Sequence, residues 1–189
     1  RVGARGVVVG LVAGGVDGFV RRLLVVPVAE HHAVAAGAEL PLHPASHHRP
    51  AVGIDHLDLD VAGERLFVCA IGNNTAEVLD LRKGERVHSI SDLGSPQGLA
   101  YVPELNRLFI ANDKGGWCNI YDAKSWQLIG TADFQDGADN VRYDSATKRI
   151  YVGFGNGGIG VINAIDGKRV GSIKLAAHPE AFELEKHGR

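Results

Sequence analysis

Cysteine is nearly missing from this chain: Cys69 and Cys118 are the only two among 189 residues, and they stand in no CxxC or zinc-like spacing. That excludes a disulfide framework and leaves the redox compartment undetermined. No run of 18 apolar, charge-free residues occurs, so a membrane span is not expected. No window sustains a 3.6-residue period, so helix should be scarce. No Gly-x-Ser-x-Gly elbow and no Cys-x-x-Cys-His haem attachment are present. The glycine-rich run Gly153–Gly158 lacks the Gly-Lys-Ser/Thr ending of a phosphate loop and leads into a strand rather than a helix. An excess of charge is missing too. The formal net charge is −2, which argues against a polyanion-binding surface and against nucleic acid as a partner.

A second set of absences divides the chain. Residues 1–50 contain no Lys, Asn, Ile, Tyr, Thr, Gln, Trp or Cys, all of which residues 51–189 use. Three readings fit this atypical segment. It is a secretory leader, with Arg1 and Arg5 before the apolar run Gly6–Val16, although Asp17 and Arg21-Arg22 interrupt it. It is a disordered arm, for which its many valines are poor material. Or it is an out-of-frame translation of GC-rich DNA, which accounts for the composition and is the reading we favour. Its histidines, His31, His32, His43, His47 and His48, match no structural zinc pattern.

What is present from residue 51 onward is repetition. Arg65-Leu66-Phe67-Val68, Arg107-Leu108-Phe109-Ile110 and Arg149-Ile150-Tyr151-Val152 recur at a spacing of 42 residues. A fixed period of about 40–45 residues is the length of a four-stranded propeller blade. Three units align, 56–97, 98–139 and 140–180, and a partial one follows over 181–189. Each opens with a short alternating strand, such as Leu57-Asp58-Leu59 or Val141-Arg142-Tyr143. A polar turn leads to the Arg-led apolar strand, which suits the sandwiched middle of a blade. A Gly/Asn turn, a third strand ending on Asp80, Asp122 or Asn163, and an outer strand complete the unit. The expected fold is therefore all-β: a β-propeller fragment of about three four-stranded antiparallel blades plus the first strand of a fourth. The remaining blades are expected to lie outside this chain, leaving two broad apolar blade faces exposed.

In a propeller the first strands line the central channel, and the loops entering them share one rim with the turns between strands two and three. That rim gathers Asp55, His56, Gln97, Asp139, Asn140, His178 and Glu180 as candidate ligand-binding residues. The middle turns add Asn73, Asn74, Asn112, Asp113 and Asn156, for which turn formation is the simpler role. Oxygen-rich convergence suits a hard divalent cation, and added histidine suits a transition metal. Arg65, Arg107 and Arg149 recur in phase and read as architectural, bonding blade edges or pairing with Asp80 and Asp122. Trp117, Trp126 and the tyrosines read as packing residues, and Cys69 as a core residue.

The phrases Arg65-Leu66-Phe67-Val68, Pro96-Gln97-Gly98-Leu99-Ala100-Tyr101, Asp139-Asn140-Val141-Arg142-Tyr143 and His178-Pro179-Glu180 resemble the YVTN/YncE-type β-propeller repeat family, over about residues 54–189. The resemblance implies an exported bacterial protein, periplasmic or secreted, with about seven blades. Its members include binding proteins, electron-transfer subunits and lactonase relatives, the last holding a metal at the channel mouth. With no nucleophile–base set in view, the expected function is non-catalytic binding of a small molecule or protein. A metal-dependent lactonase-like hydrolase is the alternative, with a metal polarising a carbonyl or activating water. A propeller subunit of a redox enzyme is the third reading.

Overall fold

Each repeat unit becomes one antiparallel four-stranded sheet. A computed structural model of the chain describes residues 53–185 in full. Before them it describes only the backbone of three strands, β1 (Gly6–Val12), β2 (Arg22–Val28) and β3 (Ala36–Ala38), which pair in that order. The five early histidines and residues 186–189 lie outside the described residues, as do the grounds for choosing among the readings of the first fifty.

The first blade comprises β4 (Ile54–Asp60), β5 (Arg65–Ala70), β6 (Thr75–Asp80) and β7 (Glu85–Ile90). The second comprises β8 (Pro96–Val102), β9 (Arg107–Asn112), β10 (Trp117–Asp122) and β11 (Leu128–Asp133). The third comprises β12 (Ala138–Asp144), β13 (Arg149–Phe154), β14 (Gly158–Asn163) and β15 (Arg169–Lys174). Every blade is a simple meander in chain order. Among the described residues helix is limited to two single 3₁₀ turns, Ile71–Asn73 and Pro103–Leu105. The acidic or amide residue that ends each third strand sets the following turn: Asp80 accepts from the Arg82 and Lys83 amides, Asp122 from Lys124 and Ser125, and Asn163 from Ile165.

The apolar run in each second strand is explained by burial on both faces. In β9, Leu108 and Ile110 pack with Phe67, Val78 and Tyr101 against the first blade. Their neighbours Phe109 and Ala111 pack with Val141, Ile150 and Val152 against the third. Alternation along one strand thus feeds two separate cores. The outward apolar faces are less open than expected. On the first blade Leu66, Val68 and Leu79 are buried, and on the third Val161 is buried while Ile173 stays 50% exposed.

Neighbouring blades are also latched by the repeat arginine, which reaches forward. Arg65 Nη1 donates to the Ala123 carbonyl at 2.8 Å, and Arg107 Nη1 to the equivalent Ala164 carbonyl at 2.8 Å. The expected partners Asp80 and Asp122 are occupied with their own turns. The acid that Arg65 engages is Asp60, through Nε at 2.9 Å and Nη2 at 2.8 Å. Its guanidinium also lies between the Phe67, Tyr101 and Trp126 rings. Arg149 is exposed and has no acceptor of this kind among the described residues.

Trp126 and the tyrosines Tyr101, Tyr121 and Tyr143 pack as expected, but Trp117 is 43% exposed, because its position opens β10 at the blade margin. Residues 181–185, expected to start a fourth blade, form no ladder. A strand is defined by its partner, and the hairpin partner of this segment is not among the described residues. Instead Phe182 lies beside Arg142 and Gly153 of the third blade.

Candidate binding site at the blade starts

The innermost strands stand side by side, β8 between β4 and β12. Each has a register irregularity at the same place: between Ile54 and Leu57, between Pro96 and Gly98, and between Ala138 and Val141. The residues skipped by the ladder are Asp55-His56, Gln97 and Asp139-Asn140. A bulge frees side chains from strict alternation and re-aims them, and bulges collect next to functional sites. Asp55, His56, Gln97, Asp139 and Asn140 therefore lie in the bulged starts of the first strands and not in loops preceding them, whereas His178 and Glu180 lie in the segment after β15.

The close packing of these strands depends on Gly98. A Cβ there would lie 2.3 Å from the Asp139 carbonyl oxygen and 3.0 Å from the Val141 amide nitrogen, both backbone atoms that no rotamer change can move. Gly98→Ala is expected to cost about 1–3 kcal/mol and to displace the Asp139 bulge. Backbone amide shifts centred on residues 138–141, seen by NMR, would check this; shifts confined to residues 97–99 would contradict it.

Asp139 sits at the centre of the rim. It is 7% exposed, and its Oδ2 lies 3.4 Å from His178 Nε2. Burial raises its pKa above the usual carboxylate range, with Asp55 adding to the rise and His178 opposing it. The His178 imidazole is raised in turn, first by the Gly155 carbonyl against its Nδ1 and then by Asp139. On the other side, His56 Nδ1 lies 3.0 Å from Asp55 Oδ1, but at an angle that makes no hydrogen bond, so this buried nitrogen has no partner. Asn140 is fully buried, donates through Nδ2 to the Glu180 carbonyl, and leaves its Oδ1 unpartnered.

The fold thus brings together Asp55, His56, Asp139, His178 and Glu180, with Asn140 bracing Glu180. Gln97 occupies the equivalent bulge of the second blade, half-buried, but is not among the grouped donors. The middle-turn residues serve the backbone where their contacts are visible. Asn74 accepts from the Ser95 amide, and Asn112 accepts from Gly94 while donating to Ile110 and Trp117. Below the rim, His56, Asp58, Ala100, Tyr101 and Arg142 line a channel cavity of about 430 Å³. Asp58 accepts from the Tyr101 and Leu59 amides at 2.7 Å each, and burial raises its pKa against the opposing pull of Arg142. Sequence reasoning missed the facing Asp58 and Arg142. The signal was available: both are charged residues between apolar neighbours in a first strand.

Cys69 and Cys118 are buried in the blade cores, where desolvation pushes the Cys69 thiol well up and Cys118 up to about 12. Both are packing residues.

Comparison with solved structures settles the architecture. A hydrazine synthase chain from Kuenenia stuttgartiensis superposes with a TM-score of 0.63 at 18% identity, over 73% of this chain and 40% of that one. Sqt1 of Saccharomyces cerevisiae gives 0.61 at 15% identity, over 70% and 39%. The WD40 repeats of RRP9 give 0.58 at 16%, over 67% and 40%. The chain has the fold of β-propeller blades. Its likeness to YncE appears in sequence: the uncharacterized protein YncE of Salmonella typhi is 26% identical over 99 residues, 51% of this chain and 27% of that protein. YncE of Salmonella typhimurium is 25% identical over the same length. The chain spans about a quarter of these YncE relatives. No family model matches it.

Proposed function

We propose that this propeller segment is a non-catalytic binding module that takes a positively charged ligand on its blade-start rim. The observation that carries this reading is the convergence of three carboxyl groups, Asp55, Asp139 and Glu180, from two bulges and the segment after β15, with Asp139 common to both halves of the cluster. A rim of this kind is rich in hydrogen-bond acceptors and negative charge, and among the described residues the charges acting on Asp139 are Asp55 and the two histidines, with no lysine or arginine. The two thiols, the strongest nucleophiles available, are sealed in the cores. Propeller chemistry of this sort selects ligands by charge and donor pattern at converging loops and strand ends.

A small organic cation is the direct probe. Spermidine at about one hundred times its dissociation constant is expected to stabilise the protein by about 2.7 kcal/mol, a rise of several degrees in melting temperature. Glucuronate, an anion of similar size, should give no rise. Asp139→Asn, which keeps the shape of the side chain, should abolish the spermidine effect. Equal stabilisation of the wild type and Asp139→Asn would place the binding elsewhere and remove the proposal.

A further inference from the structure

The donor set of the rim specifies more than charge, provided the rim is the binding site inferred above. Two groups of three residues, Asp55–His56–Asp139 and Asp139–His178–Glu180, each offer one donor atom per residue with all atoms of a group within 4.8 Å of one another. Asp139 belongs to both groups, and a carboxylate has two oxygens to offer.

The histidines are held as metal ligands are held. His178 Nδ1 contacts the Gly155 carbonyl, which only accepts, so Nδ1 carries the proton and the Nε2 lone pair is turned toward Asp139 Oδ2. Two acceptors facing each other call for a proton or a cation between them. Anchoring the far imidazole nitrogen on a backbone carbonyl is the usual way a metal-bound histidine is oriented. On the other side His56 Nδ1 is buried without a hydrogen bond beside Asp55 Oδ1.

A further sign comes from Asn140, which is 0% exposed. Its Nδ2 is fixed on the Glu180 backbone carbonyl, and Oδ1, on the same carbon, stays buried and unpartnered in the residue that follows Asp139. Buried polar atoms are almost always satisfied, and an orphan beside a donor cluster indicates a missing partner.

The separations also fit. Ligands about 2.1 Å from an ion are about 3.0 Å apart at neighbouring octahedral positions and about 3.4 Å apart at tetrahedral ones. The Asp55–His56 and Asp139–His178 donor pairs are 3.0 Å and 3.4 Å apart. Imidazole mixed with carboxylate favours first-row transition ions over Mg²⁺ and Ca²⁺, which take oxygen.

We propose that the rim holds a pair of divalent transition cations bridged by Asp139, one bound with Asp55 and His56 and the other with His178 and Glu180. The paired arrangement is that of two-metal sites, in which a shared carboxylate keeps the ions about 3.5–4 Å apart. Titration of the metal-free chain with Co²⁺, followed by visible absorption and calorimetry, is expected to show two ions per chain. Excess Mg²⁺ or Ca²⁺ should not displace them. Asp139→Asn should weaken both ions by more than about 100-fold, while His56→Ala and His178→Ala should each remove one. Far-UV circular dichroism of each variant separates loss of ligand from loss of fold, and His178, at the exposed margin, is the variant least able to disturb the blades. One ion per chain, binding unaffected by Asp139→Asn, or equal binding of Ca²⁺ would overturn the pair. If spermidine protects the rim while no Co²⁺ binds, this inference fails and the binding reading stands; if neither binds, both fail.

Discussion

Arg65→Ala is expected to destabilise the protein by about 3–5 kcal/mol, far more than the same change at the equivalent Arg107. The reason is Asp60. Its carboxylate is only 5% exposed, accepts from two guanidinium nitrogens of Arg65, and retains just the Gly63 amide once they are gone. A buried charge deprived of its counter-ion costs much more than the pair itself contributes. The change also removes the group filling the space between the Phe67, Tyr101 and Trp126 rings, and the latch to the Ala123 carbonyl. At Arg107 the residue standing where Asp60 stands is Val102, so Arg107→Ala loses hydrogen bonds to the Ala164 and Ile165 carbonyls and strands no charge. About 1–2 kcal/mol is expected there. Urea denaturation of both variants measures the difference. The double change Asp60→Ala with Arg65→Ala should cost less than the sum of the single ones. Equal losses at the two arginines would show that Asp60 does not depend on Arg65.

Phe109→Ala is expected to cost about 3–5 kcal/mol. Phe109 is fully buried, flanked in its sheet by Ala100 on β8 and Ile120 on β10, and faces the third blade. The sheet fixes the backbone on both sides of the site, so the neighbours cannot close the void that alanine would leave. Leu128→Ala, at a position 55% exposed on the outer strand of the same blade, serves as the comparison and should change stability by no more than about 0.5 kcal/mol. Comparable effects at the two positions would mean that the interface between the second and third blades is not a core.

The blades were legible in the sequence because two independent periods agree. Alternation marks strands such as Val141-Arg142-Tyr143, and the recurrence of the Arg-led phrase marks their order. The site was legible only as a set of positions. Repeat phase placed Asp55, His56, Asp139, His178 and Glu180 on one rim, but the bulges that hold Asp55, His56 and Asp139 are a matter of register, which depends on the partner strand. The central place of Asp139 was invisible for the same reason, since its neighbours come from positions 84 residues upstream and about 40 downstream. Reading the arginines by repeat phase also misled. Asp80 lies opposite Arg65 in the sheet ladder, yet Asp60 takes the guanidinium; an acid stands opposite the arginine in the first and third repeats, Asp60 and Asp144, but the second has Val102 there, which broke the pattern.

The clamp between Asp60 and Arg65 has a consequence for how such a chain can change. A latch that reaches from the first unit into the second, and from the second into the third, makes neighbouring units complementary as well as similar. The first unit carries a charge that only its own arginine satisfies, and the second carries valine in its place. Exchanging one copy for another by recombination would therefore preserve the rhythm of the chain while breaking its joints. The three similar units are thus parts with fixed addresses.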